Sequence, residues 1–140
     1  SSDLKGNKML LPMYLMVVLT ILIGIYTVVG RIKSVRTGEV KIKTYRHMDY
    51  ETMPEKLVVA GRSFNNQFEV PTLFYIVAIL CMMMNLVNPA TTGLAWAFVA
   101  SRYLHAFIHL TYNNVLHRML SYILGVLVVF ALWTCLLFSI

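Results

Sequence analysis

Long apolar runs are the feature that most constrains this chain. Met9–Gly30 carries no charged residue and matches the roughly 20 apolar residues that a helix needs to cross a bilayer. Three further apolar stretches follow, and the chain is 59% hydrophobic and 13% charged, outside the range of soluble domains. The sequence therefore predicts an all-α integral membrane protein with a single domain over residues 1–140. The predicted fold is a four-transmembrane-helix bundle with spans at residues 9–30, 57–87, 90–112 and 118–140.

Positive charge is concentrated in the connection between the first two apolar runs, residues 31–56. Seven of the twelve Lys and Arg residues lie there. Because Lys and Arg are enriched in cytoplasmic loops, we expect this basic loop to be cytoplasmic and both termini to lie on the outer face. The loop would contact the anionic headgroups of membrane lipids or steer an anionic ligand. Its charges do not alternate with aromatic residues, so no nucleic-acid partner is predicted.

Local patterns predict some details of the second span and the loop that precedes it. Residues 40–45 alternate between apolar and polar types, which favours a short extended segment or an ordered loop. Pro54 is typical of a helix start. Pro71 is expected to kink the second span just past Glu69, because proline lacks the backbone donor that continues a helix.

Polar residues inside the second and third spans need an explanation. Arg62, Asn66 and Glu69 stand at i, i+4 and i+7, which places them on one face of a helix. An unpaired charge at the centre of a bilayer costs about 3 kcal/mol. Glu69 lies about 18 Å along its helix, and Arg102 lies about 16 Å from the end of the third span. The matching depths predict an ion pair between Glu69 and Arg102.

The remaining polar residues in this half of the bundle exceed what one glutamate can bind. Such a surplus of donors around one cavity indicates an anionic or polar ligand, although a buried network that only fixes helix register is the simpler alternative. His105 and His109 share a helix face, but no other span offers a central histidine, so a haem or metal site is disfavoured. Cys81 and Cys135 are expected to be buried thiols, with a disulfide between them left open. The surplus donors are Arg62, Asn66, His109 and Arg118.

The polar pattern resembles the MAPEG superfamily, the membrane-associated proteins of eicosanoid and glutathione metabolism, over nearly the whole chain. The family's second-helix pattern RxxxNxxE, followed closely by proline, is present from Arg62 to Pro71. Its third-helix arginine and histidine correspond to Arg102 and His105, and its fourth-helix arginine corresponds to Arg118. The segments FNNQFEVPTLFY and IHLTYNNVLHR are most similar to the bacterial branch, which implies a location in a bacterial inner membrane.

The resemblance implies a homotrimer that binds glutathione between neighbouring subunits toward the cytoplasmic side. It implies a catalytic role for Arg118, which would hold the glutathione thiolate, and a transferase or peroxidase reaction with a lipophilic substrate from the bilayer. The family's glutathione-binding enzymes have tyrosine where this chain has His109, and arginine where it has Val59. A second function therefore stays open, a non-catalytic subunit or scaffold of a larger membrane complex. The implied glutathione-binding residues are Arg62, Asn66, Glu69, Arg102, His105 and His109.

Overall fold

The computed structural model describes the backbone of residues 2–140 and the side chains of residues 8–140. Every regular element in this part of the chain is an α-helix, as the sequence predicts. The helices pack side by side, and the most extensive packing joins the last two. The six helices are α1 (Ser2–Arg36), α2 (Ile42–His47), α3 (Glu55–Asn66), α4 (Val70–Met83), α5 (Pro89–Leu110) and α6 (Val115–Phe138).

Three helical stretches in residues 8–140 are long and apolar enough to cross a membrane. The helix α5 has a suitable length of 22 residues but is not among them. Its second half carries Arg102, His105 and His109, and these side chains lower its mean hydropathy. The three stretches are Lys8–Arg36, Glu55–Met83, which comprises α3 and α4, and Val115–Phe138.

The basic loop contains a short helix near residue 42, so the extended segment, one of the two alternatives that the sequence left open there, is wrong. Lys41 has extended backbone angles just before α2, and Met48 ends the helix with a φ of 51°. The Tyr45 hydroxyl lies 2.6 Å from the Ser34 Oγ, and the Arg31 guanidinium lies 5.6 Å from the Tyr45 ring centre. These contacts fasten the loop to the end of α1.

The second span breaks between α3 and α4, and the break lies earlier than the predicted kink. The helix α3 ends at Asn66, and α4 begins at Val70. A proline ring collides with the carbonyl four residues before it, which for Pro71 is the carbonyl of Gln67. This explains why the chain leaves helical geometry before Glu69 rather than after it. Glu69 itself has a φ of −94° and a ψ of −102°, outside the helical region.

The bundle has two distinguishable ends. Glu55 and Asn113 line one cavity, so the basic loop and the turn between α5 and α6 lie at the same end, which we call the loop end. Lys8 and Asn88 line another cavity at the opposite end, which we call the far end. Both α1 and α5 therefore run toward the loop end, whereas α3, α4 and α6 run toward the far end.

Apolar packing dominates toward the far end. The rings of Phe74 and Phe98 are fully buried and stack with centroids 4.5 Å apart. The Trp133 indole donates to the Leu73 carbonyl over 3.3 Å, which ties α6 to α4. Nearer the middle, Gly125 lets α6 approach α5, because a Cβ there would lie 3.1 Å from the Ser101 Oγ. This close packing holds the α5–α6 pair that carries much of the candidate site.

Candidate functional site

A polar cleft of about 710 Å³ opens at the loop end between α3, α5 and α6. Six of the seven site residues predicted from the sequence line this cleft, and the exception is Arg102. The structure therefore brings residues from distant parts of the chain together. Their roles in binding stay predictions. The lining residues are Glu55, Val58, Val59, Arg62, Asn65, Asn66, Glu69, His105, His109, Asn113, Val115, Arg118, Met119 and Tyr122.

The wall formed by α3 carries the predicted triplet, although not on one continuous helix. Arg62 and Asn66 lie on α3, whereas Glu69 lies beyond its end, at the residue that precedes α4. The expectation of a single helical face for all three residues is therefore wrong for Glu69, because the chain breaks at residues 67–69. Arg62 and Glu69 are exposed, and Asn66 is half-buried. The break still leaves Glu69 on the cleft.

The floor of the cleft is formed by two histidines of α5. His105 and His109 are both buried, and their ring centroids lie 5.8 Å apart. His105 also lies against Tyr122 of α6, with ring centroids 5.9 Å apart. The Nδ1 of His109 is buried and has no hydrogen-bond partner among residues 8–140. This nitrogen is therefore buried and unsatisfied among the described residues.

Arg102 lies behind the cleft lining, and the predicted ion pair with Glu69 is not formed. The side chain is only 1% exposed, and its NH2 donates to the Asn66 carbonyl over 3.4 Å. Its Nε and NH1 find no partner in the described part of the chain. Matching depth along two helices was insufficient because Glu69 lies beyond the end of α3, so the helical face of Arg62 and Asn66 does not set the direction of its side chain. The guanidinium charge is therefore buried without a carboxylate bonded to it.

The turn between α5 and α6 positions Arg118. The Asn114 side chain accepts from the His117 backbone N–H over 3.0 Å and so begins α6 at Val115, one turn earlier than predicted. Asn113 adopts a φ of 47°, and its Oδ1 accepts from the Arg118 NH1 over 2.7 Å. A neutral amide thus holds the half-buried guanidinium at the loop end of the cleft. Because the amide carries no charge, the positive charge of Arg118 is not neutralised by it.

Four polar residues of the cleft were not predicted as site residues from the sequence: Glu55, Asn65, Asn113 and Tyr122. Tyr122 stands four residues after Arg118, a spacing that places both on one face of α6, so this helical spacing could have identified it. Glu55, Asn65 and Asn113 lie at helix ends or in the turn, where no periodicity signals the direction of a side chain. Tyr122 adds a phenol and Glu55 adds a second carboxylate to the cleft.

Metal and disulfide chemistry find no support in the described residues. No group of three or more His, Cys, Asp or Glu side chains in residues 8–140 is arranged to hold a metal ion. Cys81 and Cys135 are both free thiols, one buried and one half-buried, which answers the question of a disulfide that the sequence left open.

Comparisons with known proteins identify the family. The family model described as MAPEG family matches residues 9–138, nearly the whole chain. Searches of curated proteins and of solved structures found no match. The match covers the apolar helices, the break between α3 and α4 and every residue of the cleft. With its long apolar helices, the chain is an integral membrane protein that belongs to the MAPEG family.

Proposed function

We propose that the protein is a glutathione-dependent transferase or peroxidase that acts on a lipophilic electrophile. The observation that carries this proposal is a group of three arginines at one site, none of which is bonded to a carboxylate among the described residues. Arg62 and Arg118 line one cleft, and Arg102 stands behind it with two guanidinium nitrogens that no group in residues 8–140 reaches. Buried donors without partners are costly, so an anionic ligand that approaches them would be strongly favoured.

The residues of the cleft fit the chemical groups of glutathione. The tripeptide carries two carboxylates, two amides and one amino group besides its thiol. Arg62 can bind a carboxylate with two parallel hydrogen bonds, Asn66 can bind an amide, and the exposed Glu69 can bind the amino group. The cleft volume of about 710 Å³ falls within the usual range for small-molecule sites.

Arg118 is assigned to the thiol of this ligand. A thiol with an ordinary pKa of about 8.5 is mostly protonated at neutral pH, and the thiolate is the nucleophile. A guanidinium nearby favours the thiolate and keeps its own charge in a medium of low dielectric constant. The hydrogen bond from Arg118 to Asn113 leaves the other guanidinium nitrogens available for this purpose.

The proposal includes the arrangement in the membrane. We assign α5 as a fourth span that packs between the more apolar helices, with the basic loop cytoplasmic and a homotrimer in a bacterial inner membrane. The cleft lies on the flank of the bundle, with exposed Val115 and Met119 at its edge, and a neighbouring copy would cover it. The molar mass of the purified protein in detergent tests the trimer.

The function is tested by glutathione binding to the purified protein in detergent. Calorimetry measures the affinity, and absorbance at about 240 nm measures thiolate formation. We expect binding with a thiolate signal in the wild type, and loss of most of that signal in Arg118→Ala with assembly unchanged. Arg46→Ala is the matched control, because Arg46 is an exposed arginine on α2 outside the cleft.

Two results would overturn the proposal. No binding at millimolar glutathione, where about −4 kcal/mol would still be detected, would favour the non-catalytic subunit or scaffold. Loss of assembly in Arg118→Ala would show that the hydrogen bond between Arg118 and Asn113 is mainly structural.

A further inference from the structure

The charged groups of the cleft follow one another along the α3 wall, and one of them has no role in the proposed function. The helix α3 begins at the loop end and runs toward the far end. Glu55 therefore lies at the loop end of the cleft, Glu69 lies deepest on this wall, and Arg62 stands between them. The glutathione contacts proposed above use Arg62 and Glu69 but leave Glu55 unused.

The proposed contacts fix the direction in which glutathione lies. Its α-carboxylate and its amino group share one carbon of the γ-glutamyl residue, so Arg62 and Glu69 bind the same end of the tripeptide. The thiol lies with Arg118, at the start of α6 and at the loop end of the cleft. Glycine extends from the cysteine on the side away from the γ-glutamyl residue. It therefore lies toward the loop end of the α3 wall.

This part of the α3 wall offers no free cation to the glycine carboxylate among the described residues. Its lining residues are Glu55, Val58 and Val59. Lys56 is exposed but does not line the cleft, and Arg118 is occupied by the thiolate. A second carboxylate of the ligand would thus face a like charge, which is unfavourable.

The buried groups of the cleft do not supply the missing cation. Arg102, His105 and His109 are 1%, 3% and 4% exposed, so they present almost no surface to a ligand. The charged groups that a ligand can contact are two guanidiniums and two carboxylates. Glutathione with an ionised thiol carries three negative groups and one positive group. One negative group is then left without a cation, and Glu55 is left without a partner.

We propose that the thiol substrate is a glutathione derivative whose glycine carboxylate is joined by an amide bond to an amine-bearing chain. The amide removes the negative charge that would face Glu55, and the protonated amine binds the Glu55 carboxylate. Val58 and Val59 contact the methylene groups between them. The ionised derivative carries two negative and two positive groups, which match the charges that line the cleft. This inference rests on the proposed function and names its thiol substrate.

A simpler role for Glu55 gives a different result. Glu55 stands in the first turn of α3, where a negative charge stabilises a helix through its dipole. That role does not involve the ligand, so it leaves the relative affinities of different thiols unchanged. A comparison of several thiols therefore distinguishes the two roles of Glu55.

Calorimetry on the purified protein in detergent at about pH 8 compares glutathione, its glycinamide analogue and its aminopropyl amide. The amine of the last compound is protonated at this pH, since a primary amine has an ordinary pKa of about 10. Absorbance at about 240 nm reports the thiolate in each complex. We expect affinity to increase in the order given, with the aminopropyl amide bound about tenfold more tightly than glutathione.

Glu55→Gln should change the affinities in opposite directions. The preference for the aminopropyl amide over the glycinamide should disappear, because the carboxylate that binds the amine is gone. Glutathione should bind as well as to the wild type or better, because its glycine carboxylate no longer faces a like charge. Glu51→Gln is the matched control, since Glu51 is an exposed residue of the basic loop outside the cleft. It should keep the wild-type order.

Two results would overturn this inference and leave the proposed function intact. One is glutathione that binds as tightly as the aminopropyl amide with a thiolate signal, as it would if a neighbouring copy supplied a cation. The other is an unchanged order of affinities in Glu55→Gln. The wild-type order alone decides the matter if this variant does not fold. A missing thiolate signal with all three thiols would instead remove the proposed function and this inference with it.

Discussion

The two halves of this helix bundle are built on different principles. Toward the far end, the core consists mainly of fully buried apolar side chains such as Phe74, Phe98 and Leu132. Toward the loop end, the buried set includes Gln67, Arg102 and other polar side chains. Of the six buried side-chain atoms without a partner in residues 8–140, four belong to Gln67, Arg102 and His109.

The difference shows that packing and binding are separated along the same helices. In a membrane, helices associate through close van der Waals packing and hydrogen bonds between them, since lipid is as apolar as the core. The apolar half meets this need without a ligand. The loop half instead keeps buried donors whose partners are missing among the described residues, which lowers stability unless a ligand supplies them. Mutations in the two halves should therefore have different consequences.

The largest loss of stability is expected from Phe98→Ala in the apolar half. Phe98 is fully buried and stacks on Phe74, so truncation leaves a cavity that the helices cannot easily close. We expect a loss of about 3 kcal/mol, with glutathione affinity of the folded protein unchanged. Unfolding in mixed micelles with increasing SDS measures the stability.

Phe130→Ala is the matched control, because Phe130 is 69% exposed on α6. It should cost less than about 0.5 kcal/mol. A loss of glutathione affinity in Phe98→Ala, measured on protein that is still folded, would contradict the separation of the two halves.

A smaller loss, which affects both halves, is expected from Gly125→Val at their boundary. A Cβ at this position would lie 3.1 Å from the Ser101 Oγ and 3.6 Å from the Arg102 Cδ. The larger side chain must push α6 from α5, at a cost of about 1–3 kcal/mol, and displace Arg102. We expect both the unfolding transition and the glutathione affinity to decrease.

Gly93→Val provides the control, because a Cβ at Gly93 meets no atom within 4 Å. If Gly125→Val loses stability but binds glutathione as the wild type does, the position of Arg102 is unimportant for the ligand.

Much of the fold follows from the sequence because membrane spans are long and uniform. Met9–Gly30 lies inside α1, Pro54 precedes α3, and Pro89 begins α5 within a residue of the expected start. The convergence of Arg62, His109 and Arg118 also follows, since helix ends at one side of a bilayer fix the depth of nearby residues.

The remaining features depend on how each helix is rotated about its axis and on where it breaks. The depth of a residue in the bilayer specifies neither. The prediction of an ion pair between Glu69 and Arg102 was wrong because a residue count gives the position along a helix. It does not give the direction of a side chain after a break in the helix. The early end of α3 required the effect of Pro71 on the Gln67 carbonyl. Tyr122 was missed because a single phenol in an apolar run resembles ordinary core or interface residues.

The smallest expected change in stability, and the most informative, is that of Arg102→Met. Methionine has a similar length and packs easily in apolar surroundings. Because the Arg102 charge has no carboxylate bonded to it and two of its nitrogens lack partners among residues 8–140, its removal should not weaken the ligand-free protein. We expect a stability unchanged or raised by about 1 kcal/mol, in the sense found when buried charges are replaced by apolar residues.

The same variant should lose part of the stabilisation that glutathione gives, because the positive charge behind the cleft is removed. Unfolding in mixed micelles with and without millimolar glutathione measures both quantities in one series. Arg46→Ala, on the exposed surface of α2, should change neither. If Arg102→Met destabilises the ligand-free protein by more than about 2 kcal/mol, the guanidinium serves helix packing. The buried polar groups of the loop half would then serve helix packing, as the apolar side chains of the far half do, and the contrast between the two halves would disappear.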